Sequence, residues 1–171
     1  MRILIGVFLA LVAGCRSAAG PLPGAAAGLI GHLSSTERRY LQLIQQIHEP
    51  GLGLIRRFRE SGLLADSAEW WVAGPRDVLP FAGSWRGLEG VAEFDKQLRA
   101  TMRYDKVELR EYLVSGKHVV AIFLGEGVAR ATGKPFRSDI VRVYTFDGGK
   151  VVQVRNYYDT GAYIRAVRGE P

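Results

Sequence analysis

Two polar side chains interrupt the apolar alternation of "VRVYTFDGGKVVQVRNYYDTGAY", Val141 to Tyr163: Arg142 near its start and Asn156 towards its end. The amide of Asn156 orients a water or a carbonyl by donating and accepting hydrogen bonds, but it takes up no proton and so is unsuited to direct general-base work. If Arg142 points inward it needs a partner, since an unpaired buried charge is costly; Asn156, Glu126 and an acid on a ligand are the candidates, and an outward register is the alternative. Glu126 is the one acidic residue of "FLGEGVA" (residues 123–129) and therefore the candidate base of that region. Asp159, just beyond the strand, reads first as a cap for the following turn. His32, His48 and His118 are far apart and lack clustered acids, so no metal site is expected, and His118 is expected to be exposed. No redox motif or nucleophile–base pair is found, and no cofactor is expected. "GVARATGKP" is one residue too long for a phosphate-binding loop and has Pro135 where a Ser or Thr belongs.

Cys15 invites a different chemistry. "MRILIGVFLALVAGC" has a basic start at Arg2, an apolar run from Ile3 to Val12 and then small residues. That run is too short to span a bilayer as a helix and suits the core of a secretory signal. Val12-Ala13-Gly14-Cys15 resembles a bacterial lipobox, in which the cysteine is acylated and becomes the new N-terminus. The expectation is a lipoprotein-type signal at 1–14, lipidation at Cys15 and a flexible Gly/Ala/Pro tether over 15–33, with the protein exported and anchored on a membrane surface. The competing readings are an ordinary signal cleaved near Ala19 or Ala27, and a start codon placed too early. Cys15 is the only cysteine, so no intramolecular disulfide forms.

The 171 residues are 47% hydrophobic and 23% charged, which suits one globular domain, expected over 34–168. The net charge of +6 comes from arginines on separate elements, with acids near most of them. Nucleic-acid binders concentrate charge on one element of a recognisable module, so no nucleic-acid partner is expected.

A helix capped by Ser35 or Thr36 carries Tyr40, Leu43, Ile44 and Ile47 at helical spacing. Glu49-Pro50-Gly51 ends it, and a second helix runs from Leu52 to Glu60 before Gly62. "AEWWVAG" is a short strand, "PRDVLPFAGSWRG" a loop, and Leu88 to Met102 a third helix. Four strands then follow, Lys106–Val114, His118–Ala131, Phe136–Phe146 and Lys150–Asp159, joined by hairpin turns. Thr160–Val167 closes the chain as a helical turn. The order predicts an α+β fold, with a curved antiparallel sheet wrapped around the N-terminal helices. Alternation puts Val152, Val154, Asn156 and Tyr158 on one face of the last strand, with Ile140, Arg142, Tyr144 and Phe146 beside them. Val151, Gln153, Arg155 and Tyr157 fall on the other face.

Three stretches, "LPFAGSWRGLEGVAEF", "ARATGKPF" and "VYTFDGGKVVQVRNYYD", give the chain a resemblance to the cone-shaped nuclear transport factor 2-like superfamily, especially its SnoaL-like branch. The resemblance implies a deep apolar pocket between the concave sheet and the helices. Its expected lining is Trp70, Val72, Arg142, Tyr144, Val154 and Tyr158, with Asn156 as the deep polar group.

Ketosteroid isomerase-like relatives place an aspartate base where this chain has Val72 and a protonated acid about where Arg142 falls, so the resemblance excludes that mechanism here. Polyketide cyclases and limonene-epoxide hydrolases use an aspartate at the position of Asn156, and the hydrolases add an Arg and a second Asp near residues 123–127, where only Glu126 is acidic. Catalysis, if present, falls to Asn156 with Glu126 or Arg142. Three functions stay open. The leading one is binding of a small apolar or amphipathic molecule; the others are a cofactor-free isomerase, cyclase, epoxide hydrolase or dehydratase, and a dimeric assembly module. A homodimer is expected, through an outward row of Arg155, Tyr157 and Trp71.

Overall fold

The computed structural model describes residues 33–48 and 53–170. The leader at 1–14, Cys15, the tether as far as His32 and the 49–52 connection with Leu52 lie outside the described residues. Helices α1 (Ser35–His48) and α2 (Leu54–Ser61) precede strands β1 (Leu64–Val72) and β2 (Gly83–Arg86). Helix α3 (Gly87–Thr101) leads into β3 (Met102–Ser115), β4 (His118–Ala129), β5 (Pro135–Asp147) and β6 (Lys150–Tyr158), and α4 (Thr160–Arg168) follows.

Ser34, one residue before the expected caps, starts α1. Glu37 N donates to Ser34 Oγ at 3.2 Å and Ser34 N donates to Glu37 Oε2 at 2.8 Å, a reciprocal capping box. The other Glu37 oxygen accepts from Gly116 N at 2.8 Å, which ties the helix start to the β3–β4 turn. Asp159 caps α4 as its position suggested, its Oδ1 accepting from Ala162 N at 3.0 Å.

The strands form one six-stranded sheet in the order β2-β1-β6-β5-β4-β3. The meander β3 to β6 is antiparallel as expected, but β1 pairs with β6 in parallel, and β2 emerges from the stretch read as loop. Concave-face side chains pack on the helices: Ile44 and Ile47 of α1, Phe58 of α2, and Val91 and Phe94 of α3 are buried with Trp70, Tyr144, Phe146 and Val154. Each such side chain is worth roughly 1.5–3 kcal/mol of apolar burial.

One expected face is reversed at the start of β6. Thr145 pairs with Gln153 but Phe146 pairs with Val151, so Val152 is the extra residue of a bulge. A bulge shifts alternation by one position, which buries Val151 and leaves Val152 half-exposed. From Val154 onward the expected faces hold.

On β4 the inward positions include Gly125 and Gly127. A Cβ at Gly127 would run into the Arg103 carbonyl across the β3 pairing, where Asp105 is bulged. A Cβ at Gly125 would lie 2.8 Å from Ile140 Cδ1 and 3.1 Å from a Tyr104 ring carbon. Glycine here lets neighbouring concave side chains close over bare backbone.

Candidate functional site

Register builds the site. Val72 on β1 lies opposite Asn156 on β6, which lies opposite Arg142 on β5; Ala121 on β4 and Tyr112 on β3 complete the row. The adjacent row is Trp70, Val154, Tyr144, Val119 and Val114. All of these point to the concave side. Small Ala121 leaves Arg142 and Tyr112 as the long side chains of their row.

A hydrogen-bonded chain links them. Arg142 Nε donates to Asn156 Oδ1 at 2.6 Å, and Asn156 Nδ2 donates to the Trp71 carbonyl at 3.1 Å. Arg142 Nη1 donates to Tyr144 Oη at 3.4 Å, a long contact. Tyr144 Oη is 2.7 Å from His48 Nε2, and His48 Nδ1 is 2.9 Å from Tyr112 Oη. Arginine only donates, so Tyr144 accepts from it and its own proton is free to reach His48 Nε2. That puts the imidazole proton on Nδ1, towards Tyr112. The guanidinium carbon sits 5.2 Å from the Trp70 ring centre and 5.7 Å from that of Phe123, within cation–π reach.

Only one member of this cluster is charged at neutral pH. Burial, with the Arg142 charge adding to it, pushes the His48 pKa down to about 3. Burial raises the Tyr144 phenol, partly offset by Arg142, and raises Tyr112 to about 12, with Tyr144 nearby adding to it. Beyond the Leu109–Phe123–Ile140–Tyr158 row lies a second aromatic group. There Tyr104 Oη is 2.7 Å from Tyr163 Oη, and burial raises Tyr104 to about 12.

The SnoaL-like domain model matches residues 61–154, the stretch that supplies β1 to β5 and most of β6. This chain belongs to the SnoaL-like domain family. Among curated proteins it is similar to UPF0523 protein B of Dictyostelium discoideum, 24% identical over 114 residues, a match covering 62% of this chain and 66% of that one, just under two thirds of its length. Among solved structures it is similar to a protein described as a SnoaL-like polyketide cyclase from Jannaschia sp. CCS1, at TM-score 0.67 and 18% identity, covering 81% of this chain and 98% of that one. It is also similar to TerC co-crystallised with polyporic acid, at TM-score 0.61 and 18% identity, covering 76% and 98%. A likeness to an NTF2-like protein of Burkholderia xenovorans, at TM-score 0.62 and 24% identity over 77% of this chain and 97% of that one, establishes the nuclear transport factor 2-like fold.

Within this SnoaL-like domain, six expected site residues share the concave face: Trp70, Val72, Arg142, Tyr144, Val154 and Asn156. Tyr158 shares it too, but its hydroxyl turns away from the cluster and donates to the Ala73 carbonyl at 2.5 Å. Arg142 takes the inward of its two readings and finds Asn156. Glu126 does not join them. It lies on the opposite face of β4, with Arg137 Nε 3.3 Å from its Oε1. Strand alternation explains this: Phe123, Gly125 and Gly127 point inward, so Glu126 points out. His118 is half-buried rather than exposed, its Nδ1 3.2 Å from Thr145 Oγ1.

Hollows of about 170 and 260 Å3 open at the surface elsewhere, the first beside Gly62, Asp66 and Leu88, the second beside Arg103 and Arg130. Neither is walled by the expected pocket residues, among which Trp70 and Tyr144 are fully buried and packed against Phe58.

His48 is the residue that sequence reasoning missed. From the sequence alone His48 is weighed only as a metal ligand. The available signal was its place on α1: Ile44, Ile47 and His48 follow the i, i+3, i+4 spacing of a single buried stripe.

Proposed function

We propose that the concave face of this domain binds a small apolar or amphipathic molecule, with Arg142, Asn156, Tyr144 and His48 receiving its polar end. The observation that carries this reading is a continuous hydrogen-bonded chain, anchored on one cation, set among Trp70, Phe123 and Tyr112. Such a chain adds only modest net stability, because each buried hydrogen bond is traded against lost hydration, so stability alone is a weak reason for it. Polar groups that converge among aromatic walls are the usual makings of a small-molecule site. The co-crystal of TerC with polyporic acid and the cyclase description of the Jannaschia protein are consistent with small-molecule binding by this fold. Mass spectrometry of organic extracts from the native protein tests the reading. A small molecule is expected from wild type and absent from Arg142→Met; no enrichment over an unrelated protein would count against it.

A second reading is a cofactor-free isomerase, cyclase, epoxide hydrolase or dehydratase. It draws on His48, a neutral imidazole held between two tyrosyl hydroxyls, which is the acid–base equipment that the missing carboxylates would otherwise supply. Turnover lost in His48→Gln with ligand binding kept would favour it. We also propose that Cys15 is acylated and holds the exported domain at a membrane surface. Cys15→Ala should then move the protein from the membrane fraction to the soluble one. Self-association through the outward Trp71 and Tyr157, whose rings lie 5.4 Å apart, is proposed as well, and light scattering of Tyr157→Glu tests it.

A further inference from the structure

We propose that the ligand of the concave face is a monoanion, a small carboxylic acid with a flat apolar body, whose carboxylate is taken up by Arg142. This deepens the binding reading above and rests on it. The starting observation is a charge without a counter-charge. The partners of the Arg142 guanidinium are an amide, a phenol and two ring faces, all uncharged. The other titratable groups facing it are His48, Tyr104 and Tyr163, from α1, β3 and α4, and they too are neutral near pH 7. Among the described residues no carboxylate forms an ion pair with Arg142, whereas Glu126, Glu108 and Asp105 each pair with a cation elsewhere. A half-buried cation held among aromatic rings without an acid is a costly arrangement unless an anion arrives from outside.

A second donor stands beside it. The indole Nε1–H of Trp70 is buried and meets no acceptor among the described residues, and the guanidinium carbon lies 5.2 Å from the Trp70 ring centre. A buried donor that the described residues leave unmet calls for an acceptor from elsewhere. Donors therefore exceed acceptors in this region, which suits a ligand that only accepts.

The third observation is where the concave face is uncovered. Val107 and Leu109 lie opposite Gly125 and Phe123, so their side chains share the concave side, yet they are 57% and 42% exposed. Among the described residues no helix covers that part of β3. Apolar surface thus runs from Val107 and Leu109 to Phe123, and Phe123 lies against Arg142. An acid head at the guanidinium and an apolar body laid towards Leu109 match this sequence of surfaces. The planar fork of arginine fits a carboxylate in a two-pronged contact, and one fixed positive charge balances one negative charge. A dianionic phosphate would leave net charge among the rings.

Isothermal titration with naphthoate and its neutral isostere naphthamide tests the proposal on wild type, Arg142→Met and Arg142→Lys, each first checked by thermal melting. Wild type should bind naphthoate more tightly than naphthamide by roughly tenfold or more, the range of a charge-assisted hydrogen bond. Arg142→Met should abolish that preference, and Arg142→Lys should keep only part of it. If wild type binds the two probes equally, the anion proposal fails while the pocket stands. If neither binds, the pocket reading falls and takes the proposal with it. Preference retained in Arg142→Met would place the anion elsewhere and overturn the proposal. Should Arg142→Met fail to fold, the wild-type comparison and Arg142→Lys still decide.

Discussion

The two faces of the β4–β5 hairpin treat charge in opposite ways. On the outer face Glu126 meets Arg137 at 3.3 Å, and on neighbouring β3 Lys106 and Arg110 meet Glu108 at 2.6 and 2.7 Å, all with side chains open to solvent. On the inner face, two residues from the Ile140 position, Arg142 has only neutral partners among the described residues. Solvated pairs contribute little to stability and are readily exchanged, so the outer charges report on solubility. An inner charge is costly to keep, and its retention points to what the concave face is for.

The strongest test of that contrast removes the inner partner. Asn156 is buried and serves Arg142 Nε and the Trp71 carbonyl at once. Asn156→Ala leaves both unmet and should lower unfolding stability by about 1–3 kcal/mol, measured by chemical denaturation. Asn156→Asp sharpens the point further. It places a counter-charge against Arg142 but loses the donor to Trp71 and sets two oxygens face to face. It should therefore weaken binding of an acid ligand by roughly tenfold while sparing a neutral one. If Asn156→Asp binds acids as well as wild type does, Arg142 is not their receptor.

A smaller effect is expected from pH. The folded pKa of His48 is depressed to about 3 from an ordinary value near 6.5. Below about 6.5 the unfolded chain takes up a proton that the folded chain refuses. The stability contributed by neutral His48 is thus complete above that pH and is lost as pH falls towards 3, with a slope of at most about 1.4 kcal/mol per pH unit. His48→Gln should show a shallower decline than wild type over that window. Parallel curves would mean that His48 is not held neutral by its surroundings, and the electrostatic account of the cluster would need revision.

How much of this was legible in the sequence follows from the range of each interaction. Arg142, Tyr144 and Asn156 could be placed together because the Gly148-Gly149 turn, with Asp147 paired to Lys150, joins their strands directly, and local turn chemistry fixes register. Val151 and Val152 were exchanged because the bulge opposite Thr145 and Phe146 answers to packing, which alternation does not encode. The parallel pairing of β1 with β6 joins Leu64 to Val151 across most of the domain, and no local pattern announces it. β2 is four residues long among prolines and glycines, too short to carry a period. His48 meets Tyr144 from 96 positions away. Its helical stripe shows burial, but its partners depend on the tertiary fold.

The smallest expected effect belongs to Glu126, and it bears on the contrast from the other side. Its carboxylate faces away from Asn156, pairs with a well-exposed Arg137 at 3.3 Å, and has water as a ready substitute partner. Glu126→Gln keeps the shape and one acceptor oxygen while removing the charge. The change should therefore shift stability by no more than about 0.5 kcal/mol, within the range of a solvated ion pair. Binding of the concave-face ligand should be unchanged, because the charge acts through the sheet into solvent and not into the cluster around Arg142. The variant also bears on the catalytic reading: a substrate turned over by wild type should be turned over equally well by Glu126→Gln. Loss of turnover with folding and binding intact would show that chemistry reaches the outer face of β4, and the contrast between the two faces would then be wrong.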